Sequence, residues 1–103
     1  MDIQLIKSPS TSVIEMIKAR SMRNMQEIDN MGEIGAIGLV QGKILNMLVA
    51  ADVAEKHANV KVIEINGVCP QHFTLVVILG DISAVTEALE NITERLSESW
   101  NNK

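Results

Sequence analysis

From Ile34 onward the apolar positions alternate between short dense runs and longer helical spacings. Ile34–Gln41 is a compact apolar run that reads as a strand. Gly35, Ala36 and Gly38 leave that strand with a flat surface, so another element is expected to pack closely on it. Gly42–Ala58 reads as a helix whose apolar residues (Ile44, Leu45, Met47, Leu48, Val49, Val53 and several alanines) cover almost its whole circumference. A helix apolar all round wants cover on every side. A chain of 103 residues cannot easily supply that cover, so a neighbouring subunit is expected to do so. Val60–Asn66 is the next strand, 66–72 a loop with Gly67 and Pro70, and Phe73–Leu79 a strand apolar on both faces, as a covered central strand should be. Gly80-Asp81 opens a second helix with Asp81 as N-cap. Here Ile82, Val85, Leu89, Ile92 and Leu96 recur at helical spacing while Glu87, Glu90, Asn91 and Glu94 face outward. Ser97–Lys103 reads as a polar tail.

The order β-α-β-β-α lacks the last strand of a ferredoxin-like α+β unit. The tail cannot supply it, but the N-terminal segment can. Ile3–Ile6 is a short apolar run, Lys7-Ser8-Pro9-Ser10 is turn chemistry, and Thr11–Ile17 suits either a strand or a helix, with the strand preferred as the missing element. Residues from about 3 to 17 therefore read as N-terminal strands of a circularly permuted, antiparallel α/β domain spanning residues 1–103. Permutation is tolerated where chain ends lie close together. Lys18–Met31 reads as a short helix and loop that Gly32 ends.

Composition narrows the function. Hydrophobic residues make up 47% of the chain, but aromatics are nearly absent, with Phe73, Trp100 and no Tyr. The core must be aliphatic. Net charge is −4, and Lys18, Arg20 and Arg23 form the one loose basic cluster. Nucleic-acid binding, which needs a basic face and usually stacking aromatics, is not expected. Charges interrupt the first twenty residues, so no signal peptide is visible. Apolar runs are too short for a membrane span, and the expected location is cytoplasmic. One cysteine cannot form an internal disulfide.

Gly38–Leu89 resembles the shell-protein domain of bacterial microcompartments. The matching pieces are Ala50-Ala51-Asp52 within the first long helix, Lys56-His57-Ala58-Asn59-Val60 at its end, and Gly80-Asp81-Ile82-Ser83-Ala84-Val85 opening the second. Ile3–Ala19 resembles the leading segment of permuted shell proteins. The resemblance implies a structural protein that forms homohexameric tiles and packs beside other microcompartment shell proteins, with encapsulated enzymes among the partners to look for. It places Gly67, Val68, Cys69, Pro70, Gln71 and His72 in the loop that lines a central pore, and it places Lys56 at the edge between tiles. Without the resemblance, Lys56 is a solvated lysine near the negative end of a helix dipole. The longer loop with Cys-Pro and His departs from the short Gly/Ser loop of ordinary tiles. It is similar to the divergent hexameric shell proteins of glycyl-radical propanediol compartments, which are associated with an iron–sulfur cluster at the pore.

A lone cysteine is ordinarily a small buried hydrophobe. Rotation about a sixfold axis would turn Cys69 into a ring of thiols, and an iron–sulfur cluster takes about four thiolates. The resemblance therefore implies that Cys69 is the cofactor-binding and metal ligand of a 4Fe–4S cluster shared between subunits. Pro70 stiffens the loop beside it, and His72 is read as a pore-rim side chain, the alternative being a ligand or a hydrogen-bond donor to cluster sulfur. His57 reads as a cap or surface residue. Catalysis by Cys69 with His72 as base would need a group to orient the histidine and an oxyanion site. Neither is recognisable, and no enzyme is expected. The alternative reading is a ferredoxin-like domain that senses small molecules, commonly as a dimer.

Overall fold

The computed structural model describes residues 1–21, 25–66 and 73–99, apart from the side chains of His57, Asn66 and residues 97–99. Four strands form one antiparallel sheet: β1 (Asp2–Lys7), β2 (Ala36–Lys43), β3 (Lys61–Asn66) and β4 (Phe73–Gly80). Their order across the sheet is β1-β2-β4-β3. The strand that completes the unit thus comes from the very start of the chain and pairs with β2, Leu5 opposite Gly38. Gly38 in turn faces Ile78 of β4, and Ile78 faces Val62 of β3. This is the ferredoxin-like order with its last strand moved to the front.

Strand side chains alternate between two faces, and both are covered. On one face Ala36, Val40, Val76 and Ile78 pack against α3 (Ile44–His57) and α4 (Ile82–Ser99) through Met47, Ala50, Val85, Ala88 and Ile92. On the other, Ile37, Ile63, Val77 and Leu79 pack against Ile17 of α1 (Thr11–Arg20), Ile28 of α2 (Met25–Asp29) and Ile34. The molecule has three layers, with two long helices, the sheet, and a small two-helix cap. Burial on both faces explains why β4 is apolar without alternation.

Several boundaries differ from those expected. Thr11–Ile17 is not a strand. It lies in α1, where the Ser10 hydroxyl caps the helix by accepting from the Val13 amide at 3.3 Å. Its apolar residues Val13, Ile14 and Ile17 stand three and four apart, which puts them on one helical face. Gly42 and Lys43 end β2 and do not begin the helix, because the strand continues in register to Lys43 opposite Phe73. The second long helix runs to Ser99, into the segment expected to be a polar tail. Asp81 caps it as expected, its carboxylate accepting from the Ala84 amide at 2.8 Å.

Candidate functional site

The register brings one set of termini together. β2 ends at Lys43 opposite Phe73, where β4 begins, and β1 begins at Asp2 opposite Gln41. β3 ends at Asn66, opposite Thr74. The connection 67–72 therefore leaves the sheet at the end where α3 starts. Cys69 and the other expected pore-loop residues, Gly67, Val68, Pro70, Gln71 and His72, lie outside the described residues. What anchors them is described. Thr74 is buried, and its hydroxyl lies 3.1 Å from both the Ile65 carbonyl and the Glu64 carboxylate, tying the two strands together at the base of the connection. Beside it, Ile44 and Phe73 remain partly exposed.

α3 resolves the question its composition posed. Met47, Ala50, Val53 and Ala54 are buried against the sheet and α4. Among the described residues nothing covers the opposite side, where Leu45 is 76% exposed and Leu48 64%. Asp52 and Lys56 continue this outer stripe at helical spacing. The Lys56 ammonium pairs with Asp52 at 3.1 Å, and its side chain is 67% exposed. Lys56 is thus placed where a neighbouring molecule could reach it. The His57 side chain lies outside the described residues.

The opposite edge of the molecule carries a second apolar feature. A groove of about 430 Å³ runs between β1 and α4, lined by Leu5, Thr86, Leu89, Glu90, Thr93 and Glu94. Sequence reasoning missed this groove, which exists only because β1 docks beside the helix. Among the described residues no group of three or more His, Cys, Asp or Glu side chains could hold a metal ion. No helix among them is long and apolar enough to cross a membrane.

Residues 36–102 match the BMC domain family. The chain belongs to that family. The match begins at β2, so the family unit starts where the β-α-β-β-α order starts, and β1 with the α1–α2 cap precedes it. Two solved structures extend the correspondence over that leading part. The ligand-free GrpU microcompartment shell protein from Clostridiales bacterium 1_7_47FAA is 32% identical, with a TM-score of 0.67, over 92% of this chain and 94% of its own. The ligand-free GrpU microcompartment shell protein from Pectobacterium wasabiae is 30% identical, with a TM-score of 0.72, over 89% of this chain and 99% of its own. No curated protein matches. This BMC-domain chain is a structural shell protein and not an enzyme, and the sensor reading gives way to it.

Proposed function

We propose that this BMC-domain chain forms a closed sixfold ring that tiles a microcompartment shell beside other shell proteins, within the cytoplasm. The observation that carries this reading is near full-length correspondence with two shell proteins, in a chain that leaves Leu45 and Leu48 uncovered. Exposed leucines in a row are costly for a monomer and are ordinary at a subunit interface. In such a ring the six connections 67–72 gather around the axis, and Lys56 lies toward the rim, available to a neighbouring tile.

The finer part of the proposal concerns Cys69. The chain's one cysteine lies in the 67–72 connection, so a ring would carry one such thiol per copy. One thiolate per chain fits a four-thiolate group only if four copies contribute. Cys69 from four subunits would hold a 4Fe–4S cluster, with two cysteines standing aside, and Pro70 would restrict the backbone next to each ligand. When bound, such a cluster supplies a one-electron site at the centre of the tile and closes the pore to metabolites.

Two measurements test the reading. Solution mass should give six times the chain mass of 11.3 kDa. Anaerobic reconstitution with iron and sulfide should give visible absorbance and bound iron that Cys69→Ser lacks while keeping the hexameric mass. Equal iron in both proteins would remove the cluster. A single-chain or dimeric mass would remove the ring.

A further inference from the structure

A row of directly paired residues crosses the sheet at the end where the α1–α2 cap attaches: Ile6 of β1, Ile37 of β2, Leu79 of β4 and Lys61 of β3. Residues directly opposite each other on antiparallel strands share a face, so all four belong to the face that the cap covers. Three are aliphatic and pack in the core beneath it. The fourth is a lysine, where the pattern calls for an apolar side chain. Its ammonium meets the Glu27 carboxylate of α2 at 2.7 Å, with both side chains partly exposed.

The cap's covalent attachment lies at the other end of that row. The chain leaves β1 at Lys7 and returns to β2 at Ala36. Between them the Ser8 amide donates to the Gly35 carbonyl at 3.0 Å, which pins the two stems together. Each stem holds one residue in the left-handed region, Ser8 at φ 48° on the way in and Gly32 at φ 76° on the way out. A serine leaves that sparsely populated region readily and a glycine crosses it freely, so both can absorb a backbone rotation. Within the cap, Lys18 of α1 pairs with Asp29 of α2 and braces the two helices as one body. Ile17 and Ile28 are the buried side chains of those helices. We infer that the cap is a hinged lid with an ionic latch: it swings about Ser8 and Gly32 when the Glu27–Lys61 pair parts, and uncovers Ile37, Ile63, Val77 and Leu79 while the sheet stays intact. An exposed ion pair is weak and screened by salt, which suits a latch better than a permanent anchor. Leu45 and Leu48 belong to α3 on the other face of the sheet, so this inference does not rest on the ring.

The test follows amide hydrogen exchange residue by residue on the full-length protein, in whatever assembly it forms, at about 0.05 M and about 0.5 M NaCl. The amides of α1 and α2 should exchange at least about tenfold faster than those of Val76–Leu79 in β4, as a sub-global opening requires. The higher salt should speed exchange in the cap about two- to fivefold and leave β4 unchanged. Lys61→Glu sets a like charge against Glu27. Its cap should exchange faster than wild type at low salt, and added salt should now slow it by screening the repulsion. Lys61→Leu completes the apolar row, so its cap should exchange more slowly than wild type and lose the salt effect. Simple fraying of α1 would not follow the charge at residue 61. The lid is overturned if cap and β4 amides exchange at one common rate, or if salt acts in the same direction on wild type and Lys61→Glu.

Discussion

Gly38 lies in the middle of β2 because α4 occupies the space a side chain would need. A Cβ there would stand 3.1 Å from the Val85 and Leu89 side chains, closer than packed carbons sit at rest. Gly38→Val would force both α4 side chains off their rotamers or push the helix from the sheet. The expected cost is roughly 1–3 kcal/mol, read as a lower urea midpoint with an unchanged slope. A variant as stable as wild type would mean that α4 does not press on β2. The close approach was legible, since a strand with Gly35, Ala36 and Gly38 in succession announces a flat surface. The Asp81 cap was legible for the same reason, because acid before an apolar helical period has few other uses. The Ser10 cap was legible in type and was passed over, because a four-residue apolar cluster after it fits a strand nearly as well. Cys69 illustrates a different limit: nothing in one chain assigns it a partner, and only the idea of repeated copies gives a solitary thiol something to do.

At the scale of elements, the α1–α2 cap is what separates this chain from a bare β-α-β-β-α unit. Ile17 and Ile28 cover the second face of the sheet, and charges fasten them there. The Lys18 ammonium bridges Asp29 of α2 at 2.5 Å and Glu15 of its own helix at 3.0 Å, and Glu27 of α2 reaches Lys61 of β3 at 2.7 Å. Asp29, and then Glu15, raise the Lys18 pKa above its ordinary value of 10.5. A raised lysine stabilises the fold fully at pH values below its unfolded pKa and loses that contribution as pH rises through the folded one. Lys18→Met should therefore narrow the alkaline fall in melting temperature above about pH 10.5, and leave the slope near neutrality unchanged. An identical alkaline slope in both proteins would show that the bridge does not hold the cap. This part of the fold was poorly legible. Five-residue α2 is too short to show a period, and the bridges join residues whose proximity depends on the sheet. α3 was the opposite case: its all-round apolarity was plain, and the structure shows which side remains bare.

The whole molecule follows from one displaced strand. β1 pairs with β2 at the edge where a ferredoxin-like unit would place its final strand, and the family match starts only at residue 36. α4 runs back along the sheet from Gly80 and packs against β1. Its far end thus approaches the end of the sheet where Asp2 begins. Two routes through the same architecture are open: the natural one, with β1 first and the α1–α2 cap between β1 and β2, and an unpermuted one, with β1 following α4. A gene that starts at Glu33, runs to Ser99, and joins through a short Gly/Ser linker to Asp2–Asn30 should fold to the same sheet, since the register is set by apolar faces and not by connectivity. Closing the linker costs little more entropy than the connection it replaces, because that cost grows only as the logarithm of loop length. The expected protein has the wild-type circular dichroism spectrum and solution mass, with the cap now a C-terminal extension. If it folds but loses its mass while keeping its spectrum, the β1 edge is formed but misaligned, and the lateral contact depends on the order of the chain. If the spectrum collapses, β1 must be in place before β2–β4 can form, and the leading segment nucleates the sheet.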